Sequence, residues 1–138
     1  MSNQVFSSRL YKLRTVLSTQ RLDGIFITNL TSIRYICGFT GSAASCLITQ
    51  DDSYFISDGR YDVQSGEQVQ NMERFIDFGP HISIVAKNNL IQNGLNLAFE
   101  GDHTSVSQYR AMTDTFPKVN WKSTSMLMEN LQAVKDES

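Results

Sequence analysis

The feature that most limits what this chain can fold into is an alternation of two hydrophobic periods. Phe6, Leu10, Leu13 and Leu17 recur at steps of four, three and four, which puts them on one face of a first helix and leaves Arg9, Lys12 and Arg14 elsewhere on its surface. After the turn signal Asp23-Gly24 the pattern becomes Ile25-Phe26-Ile27, a short unbroken apolar run of the kind seen in strands covered on both faces. Asn29 can cap a short helix carrying Leu30, Ile33 and Ile36, which Gly38-Phe39-Thr40-Gly41-Ser42 then breaks. Cys46-Leu47-Ile48 and Tyr54-Phe55-Ile56 read as two strands joined by a polar hairpin loop at Gln50-Asp51-Asp52.

The alternation continues. Asp58-Gly59 ends the second hairpin strand, a helix is predicted over about 60–69, and a strand over 74–78. Gly79-Pro80 suits the start of a helix, with Pro80 in the first turn, and Gly94 suits its end. Leu95, Leu97 and Phe99 alternate with Asn96 and Ala98 as a strand. Ser105-Val106-Ser107-Gln108 fits a capping box that opens a helix with Val106, Tyr109, Thr113 and Phe116 on one face. Val119 and Trp121 suggest a last short strand, and Leu127, Leu131 and Val134 a terminal helix. Residues 132–138 contain no glycine or proline, so the pattern is that of an unfinished helix, either frayed at its end or continuing as at a domain junction. Helices interleaved with short strands predict an α/β fold: a single three-layer domain with a mixed β-sheet flanked by helices.

A chain of 138 residues fits one domain. At this size folding buries roughly 68–70% of the unfolded surface, enough for a core that needs neither disulfides nor metal. Twelve basic against fourteen acidic residues and no Lys/Arg run argue against a nucleic-acid partner. Met1-Ser2-Asn3-Gln4 lacks the apolar core of a secretory signal, and no apolar run approaches a membrane span. Cys37 and Cys46 are therefore read as small, buried, reduced thiols of a cytoplasmic protein.

Few residues offer chemistry. Glu100-Gly101-Asp102-His103 gathers two carboxylates and an imidazole, but reads as a glycine-broken polar loop after a strand rather than a metal site. Gly41-Ser42-Ala43 lacks the second glycine of a nucleophile elbow. Gly38-Phe39-Thr40-Gly41-Ser42 has no P-loop lysine and precedes a strand, so it reads as a turn allowing close backbone approach, able to reach a ligand on a neighbouring domain. In Ser57-Asp58-Gly59-Arg60-Tyr61, Asp58 can cap the next helix; Arg60 opposes the helix dipole, and either a structural contact with Asp58 or a ligand contact would account for its position.

Taken in order, Asp23-Gly24-Ile25-Phe26-Ile27-Thr28-Asn29, then Leu30-Thr31-Ser32-Ile33-Arg34-Tyr35-Ile36-Cys37-Gly38-Phe39-Thr40-Gly41-Ser42, Ser57-Asp58-Gly59-Arg60-Tyr61, Gln64, Glu67-Gln68 and Phe99-Glu100-Gly101-Asp102 resemble the N-terminal domain of the creatinase, prolidase and Xaa-Pro aminopeptidase family. The resemblance runs from about Arg9 to Glu137. It implies a ribonuclease-H-like sheet in this chain. It also implies a C-terminal pita-bread catalytic domain, absent here, holding two divalent ions (manganese, cobalt or zinc) on two Asp, one His and two Glu. By this resemblance the chain itself has no catalytic residues, no metal and no cofactor. Its partners are the catalytic domain and a second copy of itself in a homo-oligomer, expected to be a dimer. The candidate residues for the substrate entrance or the contact between subunits are Tyr35, Phe39, Thr40, Gly41, Ser42, Asp58, Arg60 and Tyr61. The creatinase aromatic and arginine of the entrance loop have no match after Phe39, so the loop carries over without specific contacts.

Three functions are thereby set against one another. The first is an accessory domain of a proline-specific metallopeptidase, either aminopeptidase or dipeptidase. The second is a stand-alone module binding peptides or proteins through the 38–42 loop and Arg60. The third is a small enzyme built on the 100–103 turn.

Overall fold

The computed structural model describes residues 3–134 and 136. Its elements run α1 (Asn3–Thr19), β1 (Gly24–Ile27), α2 (Leu30–Cys37), β2 (Ser45–Thr49), β3 (Ser53–Ser57), a 3₁₀ turn (Gly59–Tyr61), α3 (Asp62–Gln68), β4 (Glu73–Ile76), α4 (His81–Lys87), β5 (Asn96–Glu100), α5 (Val106–Thr115), β6 (Asn120–Thr124) and α6 (Leu127–Ala133). The six strands form one sheet in the order β4-β3-β2-β1-β5-β6. β1 with β2 and β2 with β3 are antiparallel, while β3–β4, β1–β5 and β5–β6 are parallel. The sheet is thus mixed, as the sequence implies.

Side chains alternate across the sheet and divide the core in two. Ile25, Ile27, Cys46, Ile48 and Phe55 face one layer, where Leu10, Leu13 and Leu17 of α1, Ile33 and Ile36 of α2 and Leu127, Met128 and Leu131 of α6 cover them. Phe26, Leu47, Ile56, Leu97 and Phe99 face the other, under Ile82, Ile84 and Val85 of α4 and Met112 of α5. Continuous burial along β1 follows from helices on both faces. The backbone is also tight there: a Cβ at Gly24 would lie 2.5 Å from the Ile48 carbonyl oxygen.

Several boundaries depart from the sequence reading. The helix after Pro80 ends at Lys87, not at Gly94: the Asn88 side chain returns to the Ile84 carbonyl at 2.9 Å, and Asn89 takes a left-handed φ of 55°. Gly94 (φ 85°) instead turns the chain into β5, its N–H donating to Lys118 O at 2.8 Å. Pro80 is the N-cap rather than a first-turn residue, and its carbonyl accepts from Ser83 and Ile84. The strand expected over 74–78 is Glu73–Ile76, and the helix expected from residue 60 is a 3₁₀ turn followed by α3.

On α5 the buried residue is Met112, while Val106 is 67% and Tyr109 41% exposed, because the first turn stands clear of the sheet and Tyr109 only tilts its ring onto Phe99 at 5.2 Å. Arg9 is not on the surface but 7% exposed: its guanidinium lies 4.3 Å over the Tyr35 ring, donates to Tyr35 O at 2.7 Å and pairs with Asp136 at 2.7 Å. The terminal helix does not run on from Ala133, since Val134 is extended at φ −78°, ψ 124°. Lys135, Glu137 and Ser138 of that expected helix, and Met1 and Ser2 of the polar start, lie outside the described residues. Cys37 and Cys46 are free and buried, in keeping with the sequence.

Candidate functional site

The 38–42 loop begins where α2 must stop. Gly38 takes the left-handed conformation (φ 85°) and its N–H donates to Arg34 O at 2.9 Å, a helix end that favours glycine. The chain then drives Phe39 into the core. Phe39 is 1% exposed and meets Phe55 edge-on at 4.9 Å and Tyr61 at 5.4 Å. Gly41 lies flat against these rings, and any Cβ there would overlap Phe39. The exposed remainder of the loop is pinned from α3 and the 3₁₀ turn. Thr40 N–H donates to Gln68 Oε1 at 3.0 Å, Gln68 Nε2 returns to Thr40 Oγ1 at 2.9 Å, and the Ser42 hydroxyl makes a short hydrogen bond to the Tyr61 hydroxyl.

The neighbouring Asp58 caps the 3₁₀ turn. Its Oδ1 accepts from Arg60 N–H at 3.0 Å and from Arg60 Nε at 2.9 Å, and Oδ2 accepts from Nη2 at 2.9 Å. The arginine's hydrogen bonds hold the Asp58 carboxyl below its usual range, and the Ser42 contact likewise lowers the Tyr61 phenol. Arg60 pairs with the acid two residues before it, which offsets its unfavourable place at a helix start. Its side chain remains 69% exposed, with the guanidinium 5.2 Å over the Tyr61 ring.

Thr40, Gly41, Ser42, Asp58, Arg60 and Tyr61 therefore form one surface. Two other candidates do not join it. Tyr35 is tied into the Arg9 contact and donates its hydroxyl to Leu131 O at 3.3 Å, on α6. Phe39 faces inward as the floor under the loop, so it cannot line an entrance directly.

Beside Ser42 the surface sinks into a cavity of about 290 Å³, whose lining includes Ser45, Pro80, His81, Gln108 and Met112. His81 Nδ1 lies 2.6 Å from the Ser45 hydroxyl, and burial pushes the imidazole toward its neutral form. Sequence spacing gives no sign of this pair, since 36 residues separate its members. It does not make a hydrolytic triad: Ser45 is 2% exposed, and among the described residues no carboxylate hydrogen-bonds His81.

A second polar cluster lies at the end of β5. Glu100, His103 and Glu129 bring ligand-capable atoms within 4.8 Å of one another, the one such group of three or more His, Cys, Asp or Glu side chains among the described residues. Two bridged ions held by two Asp, one His and two Glu do not fit this smaller set. Nothing in the sequence singles out Glu129, because it arrives from α6. Asp102 points away, accepting from Ser125 Oγ at 2.7 Å.

A mixed six-stranded α/β domain with a pinned glycine loop beside a cavity defines the class of scaffold. The creatinase/prolidase N-terminal domain matches residues 9–134, and the chain belongs to this family. It is 30% identical to the uncharacterized peptidase YqhT of Bacillus subtilis, over 92% of this chain and 36% of that one. It superposes on an Xaa-Pro dipeptidase from Bacillus anthracis with TM-score 0.85 and 32% identity, covering 96% of this chain and 37% of that one. It also superposes on the N-terminal domain of the cytoplasmic peptidase PepQ from Mycobacterium tuberculosis, with TM-score 0.81 and 26% identity over 90% of this chain and 98% of that one. The chain thus spans about a third of the length of YqhT.

Proposed function

We propose that this chain serves as the non-catalytic N-terminal domain of an Xaa-Pro aminopeptidase or dipeptidase, with the dinuclear metal centre in a C-terminal catalytic domain. The observation that carries the reading is the 38–42 loop. Its backbone is fixed from below by Phe39 and from the side by Gln68 and Tyr61, yet Thr40 and Ser42 remain exposed, and Ser42 stands at the mouth of the cavity. A rigid polar ridge of this kind can narrow a neighbouring cleft and orient a short peptide without itself reacting. Arg60, exposed beside it, offers a positive contact to a peptide carboxylate or to a second subunit of a dimer. The two free, buried cysteines fit a cytoplasmic setting, and no helix among the described residues is long and apolar enough to cross a membrane.

The test is hydrolysis of an Xaa-Pro dipeptide or an Xaa-Pro-Xaa peptide by the pure chain with added manganese or cobalt. The expected result is no turnover above that of the metal alone, and metal-dependent cleavage by the chain would overturn the reading. The cavity beside Ser42 also favours a second reading, a peptide-binding module. Micromolar affinity of the isolated chain for proline-containing peptides would select it.

A further inference from the structure

Glu100 closes β5 and is 4% exposed. One carboxylate oxygen accepts from Ser32 Oγ at 2.7 Å. The other, Oε1, is buried with no hydrogen-bond partner. Buried polar atoms are nearly always partnered, and an orphan costs about 1–3 kcal/mol, so this oxygen calls for an explanation.

Its surroundings supply one. His103 follows one tight turn later, where the His103 N–H donates to Glu100 O at 3.0 Å and the Gly101 N–H to Thr124 O at 2.9 Å. A Cβ at 101 would overlap Ser123 Oγ unless that hydroxyl turned aside, and would press on Thr124 O at 3.2 Å. The two backbone hydrogen bonds close the turn and hold the imidazole near the buried carboxylate. From the first turn of α6, Glu129 reaches in and places Oε2 2.6 Å from His103 Nε2. His103 and Glu129 remain partly open to solvent, at 36% and 31% side-chain exposure, so an ion can approach the cluster from that side.

From this convergence we propose that Glu100, His103 and Glu129 form a mononuclear site for a divalent transition-metal ion of the zinc class, separate from any dinuclear centre in a catalytic domain. One imidazole and two carboxylates, with water in the fourth position, is a donor set that zinc accepts at about 2.0–2.2 Å from each ligand. Donors so arranged around one ion stand roughly 3.3 Å apart. The present spacing, from 2.6 Å for the His103 and Glu129 atoms to within 4.8 Å for the whole group, needs only side-chain adjustment to match. The ion neutralises two facing carboxylates and gives the buried Glu100 carboxylate a partner. It also ties α6 to the end of β5.

The experiment is a zinc titration of the tag-free, chelator-treated chain against a chromophoric chelator, with cobalt(II) absorption as the spectroscopic readout. The expected result is one ion per chain, visible bands of tetrahedral cobalt displaced by zinc, and a melting temperature raised by roughly 5–10 °C at a hundredfold excess over Kd. His103→Ala and Glu129→Gln, both at solvent-accessible positions, should each weaken binding by about tenfold or more and abolish the cobalt bands. Glu100→Gln should fold at least as well as the parent without metal yet bind it as poorly, which separates ligation from stability. His81→Asn should bind as the parent does. The proposal fails if the parent shows no saturable site, or if the site survives both His103→Ala and Glu129→Gln. Neither outcome depends on peptidase activity.

Discussion

Replacing Phe39 by alanine separates a packing role from a substrate-facing one. The ring is 1% exposed and meets Phe55, itself fully buried, edge-on at 4.9 Å. Truncating a buried phenylalanine to alanine costs about 3–5 kcal/mol through lost transfer energy and the cavity left behind. Of this, about 0.5–1.5 kcal/mol belongs to the aromatic pair and should appear as coupling in a double-mutant cycle with Phe55→Leu. With a urea slope of about 2 kcal/mol/M, a loss of about 4 kcal/mol moves the unfolding midpoint down by about 2 M. Domains are stable by about 5–15 kcal/mol, so the variant should still fold and give a complete transition. Equilibrium urea unfolding followed by tryptophan fluorescence reads the shift, Trp121 being the sole reporter. A loss below about 1 kcal/mol would show that the ring is not the floor of the loop, and the account of why Thr40 and Ser42 hold their places would fall with it.

Two further predictions rest on the same packing and charge arguments. Gly24→Ala should destabilise by about 1–3 kcal/mol because its Cβ meets the Ile48 carbonyl, whereas Gly59→Ala, with nothing within 4 Å, should leave the thermal midpoint nearly unchanged. The folded-state pKa of His81 lies below 6.5, mainly because burial disfavours the imidazolium, with Asp58 partly opposing. Its contribution is fully present above pH 6.5 and declines as the pH falls toward the folded value, since the unfolded chain takes up the proton first. Stability measured against pH should accordingly drop more steeply below pH 6.5 in the parent than in His81→Asn, and parallel profiles would refute the assignment.

Local chemistry makes much of this architecture readable. The four-three-four spacing of Phe6, Leu10, Leu13 and Leu17 predicts the buried face of α1, and all four are buried. The hairpin at 50–52 and the capping box at Ser105 and Gln108 both form as expected. In each case the signal and the structure it specifies lie within a few residues. The misreadings involve partners distant in sequence. Arg9 has the look of a surface cation because Asp136 is 127 positions away. Phe39 has the look of an entrance residue because nothing in its own loop reveals Phe55 beneath it. Gly94 is a plausible helix end, but Asn88 and Asn89 can end a helix too, and do so a turn and a half earlier. For the same reason Ser45 with His81, and Glu129 with His103, become visible only in three dimensions.

Because neighbouring residues on β1 belong to opposite helical layers, Ile25 and Ile27 answer to α1, α2 and α6, and Phe26 to α4 and α5. Substitutions on the two sides share few contacts, so their energetic effects should add nearly independently. Descendants of this domain can remodel the roof over Phe26, and with it the His81 hollow, while the opposite stratum that fixes Gly38 and its ridge stays as inherited.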